Sequence, residues 1–517
     1  MAYDHLLSFP PSLGISFGSL NPRKAVGLDD VASRFLHDGT DSIILPITHI
    51  INLSITNETV PTAFKDAKVV PLFKKGFRLE AGNYRPVSIL NVLSKVLERA
   101  VHTQLSEYLE KRGILFDHQS GFRSGYSTDT SLIGLTDYIR SEMGKGNLVG
   151  MVLIDLQKAF DTVDHGILLQ KLGAVGVSSV GWFDSYLSDR RQCVEVSGTR
   201  SDFLPVTCGV PQGSILGPLL FLVYINDMVT SLNCKLSLYA DDSALLFSHK
   251  DAFVIGNRLS EELSSCKRWL VDNKLSLHVG KTECLLFGTK KRLSGIRDFQ
   301  VACDGTLVAR VFKVKYLGVH LNANLNGTEH VGNVLQTCNG RLAFLYRNSA
   351  FLDFQSRRIL CSSLIQPYID YSCSSWYGGI TVSLKKRLDV LQRKMVRFIY
   401  GMDFRAHVGN SELATLSWLS IPDRVTFFRV IHIFKIRNKI APGYLSNDFT
   451  PISHVHGHNT RGSSLNFQMS KDLALTQNGF AYPATKEWNG LPHNLKLVTD
   501  LKIFKRRLKS HLFSRYD

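Results

Sequence analysis

No stretch of this sequence is apolar for long enough to cross a bilayer. The longest apolar run, near Leu216 to Ile225, is about half of the roughly 20 residues a spanning helix needs. The amino terminus, Met1 to Pro10, lacks a basic region followed by an apolar core, so it does not read as a secretory signal. Cysteine is sparse too: the 9 cysteines are odd in number and scattered, with no C-x-x-C pair and no zinc-ligand spacing. That excludes a disulfide scaffold and leaves reduced, mostly buried thiols. No repeat period or low-complexity block is present, which excludes a solenoid. The missing signal and spanning run predict a soluble intracellular protein; a place in nucleus or cytoplasm is an expectation that follows only from the function inferred below.

What is there is length, a globular balance and positive charge. A chain of 517 residues is too long for one core and predicts two or three packed units. Its 44% hydrophobic and 20% charged residues lie within the globular range. The formal charge of +17 implies self-repulsion unless a polyanion offsets it; nucleic acid is the simplest such partner, and an anionic membrane surface is the competitor. From Gly401 onward there are 16 Lys and Arg against 8 Asp and Glu, a net of 16 − 8 = +8.

The chain divides by texture. Up to about Pro61 it reads as a helical lead-in, with Ile43, Ile44, Ile47, Ile50, Ile51 and Ile55 at helical spacing. Ala67 to Phe73 predicts a strand turned by Lys74-Lys75-Gly76. Ile89 to Arg112 has apolar positions at three- and four-residue steps and predicts an amphipathic helix ended by Gly113. Val149 to Leu156 is a short apolar run with Asp155 near its carboxyl end, and a helix is predicted from about Asp164. Leu236 to Phe247 predicts two strands joined by Ala240-Asp241-Asp242-Ser243, a hairpin with a doubly acidic tip. Beyond Leu321 the pattern is mainly helical, with basic and aromatic residues interleaved from Leu391 to Tyr400.

Acids at the end of a buried strand and on a hairpin tip are costly unless a cation joins them. Magnesium suits such a set because it takes hard oxygen ligands, keeps waters and is commonly held by one or two carboxylates plus substrate phosphates. Two such ions can activate a 3′-hydroxyl and stabilise departing pyrophosphate. Successive strand side chains face opposite ways, so Asp241 and Asp242 cannot both face one metal in the same manner. Asp241 is the expected direct ligand.

Three blocks occur in order: Ile154-Asp155-Leu156-Gln157-Lys158-Ala159-Phe160-Asp161, then Gly209-Val210-Pro211-Gln212-Gly213-Ser214, then Tyr239-Ala240-Asp241-Asp242. Together they closely resemble the palm motifs of reverse transcriptases. Asn83-Tyr84-Arg85-Pro86, Gln119-Ser120-Gly121-Phe122-Arg123 and Tyr316-Leu317-Gly318-Val319 resemble the non-LTR (LINE-type, Jockey-like) retrotransposon branch. The match runs from about Val26 to Leu321 and more loosely beyond.

That resemblance implies an α+β right hand, with fingers, a palm carrying an antiparallel sheet, a helical thumb and a basic helical region after it. It divides the chain into a lead-in (1–61), fingers and palm (62–288), primer-grip hairpin and start of thumb (289–345), and a thumb-like basic region (346–517). It implies an RNA-directed DNA polymerase that acts in retrotransposition, with an RNA template, a DNA primer or target DNA, and dNTPs as partners. Asp155, Asp241 and the Leu156 carbonyl would hold two magnesium ions, which manganese can replace, and Asp242 would support the site. Phe160, beside Ala159, would be the steric gate against a 2′-hydroxyl, though a core aromatic explains it too.

Gln212 and Gly213 would lie under the incoming nucleotide; a helix start accounts for them equally. Arg85 and Lys74 or Lys75 would reach the triphosphate, Arg through a bidentate fork. Lys281 would protonate pyrophosphate, with a surface lysine as the competing reading. Tyr316, Leu317 and Gly318 would form the primer grip, or an ordinary hairpin.

Departures also inform. The short lead-in leaves no room for the endonuclease that relatives carry ahead of the polymerase, so the chain is not expected to nick its own target. No RNase H block and no zinc knuckle are visible. His454, His456 and His458 alternate in a loop, a pattern more often solvated than metal-bound. Trp488 to Pro492 and the basic helix Leu501 to Leu512 resemble the tail of Jockey-like elements, with no derivable role. The rival readings are an inert nucleic-acid-binding relic and a group II intron-type maturase. Oligomeric state is left open.

Overall fold

The computed structural model describes residues 21–23, 25–454, 465–469 and 475–516. The alternating His456 and His458 lie outside the described residues. Two compact units emerge, each drawn from separated stretches: 1–122, 155–233 and 264–278 in the first, and 123–154, 234–263 and 279–517 in the second. In chain order the longer strands are β1 (Asp66–Phe73), β2 (Tyr84–Leu90), β3 (Leu148–Ile154), β4 (Arg191–Val196), β5 (Lys235–Tyr239), β6 (Asp242–His249), β7 (Glu283–Phe287), β8 (Lys313–Tyr316) and β9 (Val319–Asn322). Sheets and helices in both units make the chain α+β.

In the first unit, β1 pairs antiparallel with β2, Phe73 facing Tyr84, and parallel with β4. Pro86 favours extended backbone at Arg85, which suits a strand opening there. The predicted helix from Ile89 starts later, at Val92–Lys111, because Ile89 and Leu90 pair with Lys68 and Ala67 in the sheet. It ends before Gly113, whose φ of +62° suits glycine. The lead-in contains the expected helix, Thr40–Thr56. The longest apolar run becomes the helix Gly217–Ile225, apolar on every side and buried at every residue but the half-buried Pro218, as such a helix must be.

In the second unit, an antiparallel core of β7, β3, β6 and β5 in that order forms one sheet, with Ala309–Arg310 at its edge. The helix Thr128–Gly144 packs Leu132, Leu135 and Ile139 into the same core as Val149, Met151, Leu246 and Phe287. Its start is fixed by a capping box in which Ser127 and Thr130 bond reciprocally. The remainder is mainly helical, including Thr328–Arg347, Val382–Tyr400, Ile421–Arg437, Ala481–Asn489 and Leu501–Phe513. No described helix is long and apolar enough to cross a membrane. All nine cysteines are free, and seven are buried.

Candidate active site

The sheet of the second unit sets the register of the acids. β3 ends at Ile154, which pairs with Ser243 of β6, and Asp155 is the next residue of the chain. β5 and β6 close through Tyr239↔Asp242, so the connection is the two residues Ala240-Asp241. The predicted four-residue tip is thus corrected: Asp242 and Ser243 belong to the strand, because their backbones complete the ladder. Ala240 is buried and takes a positive φ of 56°. Asp241 is half-buried and Asp242 exposed, as opposite-facing neighbours would be. Among the described residues, no group of three or more His, Cys, Asp or Glu side chains could hold a metal ion. The donor set that the sequence suggests is smaller, two carboxylates and a carbonyl. All are hard oxygens, a composition that fits a magnesium ion completing its shell with water and phosphate.

In the first unit, the backbone after Asp155 is pinned. The Asp155 carbonyl accepts from His278 N at 2.9 Å, Leu156 bridges Leu277, and Gln157 N donates to Ser276 O at 2.9 Å. The expected strand through Leu156 therefore ends at Ile154, and the next residues turn away through Lys158 at φ +47°. Ala159 is buried. Phe160 is half-buried, stacked on Phe221 at 4.4 Å and met edge-on by Phe122 at 6.1 Å.

The block from Gly209 to Gly213 folds against this segment. Val210 N donates to Phe160 O at 2.8 Å, and Gly209 N to Val163 O at 2.7 Å. The Gln212 side-chain amide donates to Asp161 Oδ1 at 2.7 Å, while the Gln212 backbone carbonyl accepts from Ser88 N at 2.8 Å. Gly213 has φ +136°, and a Cβ there would overlap the Ser88 carbonyl oxygen, so glycine is required. A cavity of about 420 Å³ is lined here by Ser88, Lys158, Asp161, Arg190, Arg191 and Gln212, among others. Burial raises the Asp161 carboxyl above its ordinary range, with Gln212, Lys158 and Arg85 opposing. Arg85 is exposed on β2 opposite Leu72, and Lys74 and Lys75 are exposed on the turn after β1.

Elsewhere in the second unit, Lys281 is exposed just before β7. β8 and β9 close through Leu317-Gly318, with φ +44° and +82°, the signs a type I′ turn requires. Tyr316 is not presented at the tip. It is buried, and its hydroxyl donates to Ser237 O at 3.3 Å, so it fastens the hairpin to β5. The Tyr371 hydroxyl supports the turn from below by donating to Leu317 O at 2.7 Å.

Sequence reasoning missed the Asp161–Gln212 hydrogen bond and the Phe122 edge on Phe160. Asp161 did stand in the motif, six residues after Asp155. A second acid on that short segment was a visible signal.

Residues 72–321 match the family model described as reverse transcriptase (RNA-dependent DNA polymerase). The chain carries a reverse-transcriptase domain. It is 32% identical over 398 residues to the probable RNA-directed DNA polymerase from transposon BS of Drosophila melanogaster, covering 74% of this chain and 43% of that protein. It is 28% identical to the RNA-directed DNA polymerase from mobile element jockey of Drosophila funebris, with the same coverage. This domain therefore spans, with its flanks, less than half the length of those curated relatives. The resemblance to the non-LTR, Jockey-like branch holds over about three quarters of the chain. A solved telomerase from Candida tropicalis, in complex with a TWJ fragment of telomeric RNA, aligns over 73% of this chain and 65% of its own. It does so at 13% identity and a TM-score of 0.38, too loose a superposition to argue from.

Proposed function

We propose that the chain is an RNA-directed DNA polymerase of a non-LTR retrotransposon, extending a DNA primer on an RNA template with dNTPs. The observation that carries this reading is the pairing of β3 with β6, which ties the strand leading into Asp155 to the hairpin bearing Asp241. Asp155, Asp241 and the Leu156 carbonyl would hold two magnesium ions, or manganese in their place. The chemistry supplied by the bound cations is activation of the primer 3′-hydroxyl and charge neutralisation on pyrophosphate.

The rest falls to the chain's own side chains. Arg85, with Lys74 or Lys75, binds the triphosphate; Gln212, held by Asp161, and Gly213 form the floor of the nucleotide site. Phe160, braced by Phe221, excludes a ribose 2′-hydroxyl. Lys281 holds a proton for pyrophosphate, Asp242 supports the metal site, and the Leu317-Gly318 turn positions the primer end. The duplex is gripped chiefly through phosphates and 2′-hydroxyls, so affinity falls steeply with salt. The linear division into lead-in, fingers and palm, primer grip and thumb-like region belongs to the same reading.

The test is extension of oligo(dT) on poly(rA) with dTTP and magnesium by purified protein. DNA synthesis is the expected result. Its failure from folded, RNA-binding protein across magnesium, manganese and several templates would leave an inert nucleic-acid-binding relic.

A further inference from the structure

The helix Leu501–Phe513 takes no part in the site above, and its two faces differ sharply. Phe504, Leu508 and Leu512 are fully buried. Phe504 stacks on Phe434 of the Ile421–Arg437 helix at 4.3 Å and leans on Trp488 at 5.9 Å, which fixes how the helix is seated. The opposite face carries Lys502, Lys505, Arg506, Arg507 and the half-buried Lys509. Lys502, Lys505, Arg506 and Lys509 follow the three- and four-residue steps that align side chains along one stripe.

The acids nearby are otherwise engaged. Asp500 caps the helix, accepting from Ile503 N at 2.8 Å, and Asp423 lies 4.0 Å from Arg515 and accepts from the Tyr516 hydroxyl at 2.8 Å. Among the described residues, no carboxylate pairs with Lys502, Lys505, Arg506, Arg507 or Lys509. Like charges converge instead. The Lys435 ammonium is held below its usual range by burial and then by Lys505, with Asp129 opposing, and Lys509 by burial and then by Arg424 and Arg358. Of these, Arg424 is already paired with Asp370.

We propose that the exposed basic face of Leu501–Phe513 is a docking surface for the phosphodiester backbone of RNA. Charge complementarity selects a polyanion. A bilayer is disfavoured because Phe504, Leu508 and Leu512 are turned inward and Ile503 is the one exposed large apolar residue of the helix, whereas an interfacial helix must offer an apolar face outward. The choice of RNA rests on the polymerase reading, in which the template is the long flexible polyanion the enzyme must hold. The helix of 13 residues is about 20 Å long, room for a few nucleotides of a pliant strand to align its phosphates with the stripe.

The test is binding of a labelled single-stranded RNA 20-mer, and of duplex DNA of equal length, to the whole chain carrying Asp241→Ala, so that synthesis plays no part. In that background Lys502, Lys505, Arg506 and Lys509 are changed together to Gln, and in a second variant the three lysines are changed to Arg. The Gln variant should bind RNA at least tenfold more weakly at about 0.1 M salt, with the slope of log affinity against log salt reduced by roughly 2–3. The Arg variant should bind as its parent does. A loss on RNA at least as large as that on DNA supports the surface. No loss, or a smaller loss on RNA than on DNA, overturns it, while primer extension by the otherwise native chain separately judges the polymerase reading.

Discussion

Two hairpins of the second unit, each with a two-residue connection, solve the same turn differently. At Leu317-Gly318 both residues take positive φ, and glycine occupies the tighter place against the Tyr371 ring. At Ala240-Asp241 no glycine is present, and a buried alanine takes φ +56° instead. A positive φ at a non-glycine residue costs on the order of 1 kcal/mol. Each hairpin thus holds one strained non-glycine residue, Leu317 or Ala240, and only the second holds it beside a carboxylate, which is where a reacting centre would keep it.

The largest stability effect should come from the glycine-bearing turn. Gly318→Val places a β-branched side chain at φ +82°, its Cβ 2.8 Å from Tyr371 Cε1, and should destabilise the protein by roughly 3–4 kcal/mol in urea unfolding. A loss below about 1 kcal/mol would show that this hairpin is no more constrained than the acidic one.

The same hairpin rests on a buried imidazole. His330 lies beneath β9, its Nδ1 accepting from His320 N at 3.4 Å, and packs on Trp376 at 5.1 Å. Burial lowers its pKa from 6.5 to about 4. The unfolded chain therefore binds the proton first, so this contribution to stability is full above pH 6.5 and declines as pH falls toward about 4. The decline should approach about 3 kcal/mol, and His330→Phe should flatten it. Equal pH slopes for the two proteins would contradict the assignment.

A contrast outside both hairpins comes from Asp161, which touches Gln212 rather than a metal site. Asp161→Ala should raise the KM for dTTP about tenfold, about 1.4 kcal/mol, with a much smaller change in kcat, and Asp161→Asn should recover part of the loss. A fall in kcat at unchanged KM would instead place Asp161 in the chemical step. The smallest effect is expected at the strained turn. Ala240→Gly should stabilise by up to about 1 kcal/mol, because glycine adopts positive φ without penalty. Destabilisation by more than that would mean the alanine methyl's packing outweighs its backbone strain.

Local pattern made much of this legible. β1, the hairpin strands and the tail helices follow from periodicity and turn residues, and the acids stand out in the sequence by their motifs. Boundaries failed where pairing partners lie far off in sequence. Ile89 and Leu90 carry helical spacing yet serve a strand, because β1 claims their backbone. Asp242 looked like turn and is strand, since Tyr239 pairs with it. The burial of Tyr316 has no local signature either, since it is set by Ser237 some eighty residues earlier. The Asp161–Gln212 bond spans 51 residues and has no local signature beyond an acid in a motif.

The central claim is that Asp241, on the strained turn, belongs to the metal site, and Asp242, one residue on, only supports it. The direct test is extension of oligo(dT) on poly(rA) by Asp241→Ala, Asp242→Ala and unaltered protein in parallel, with duplex affinity measured for each. Asp241→Ala should abolish synthesis, by at least about a thousandfold, while binding the duplex normally, and Asp242→Ala should retain measurable synthesis. Synthesis surviving in Asp241→Ala at near-normal rate would contradict the account.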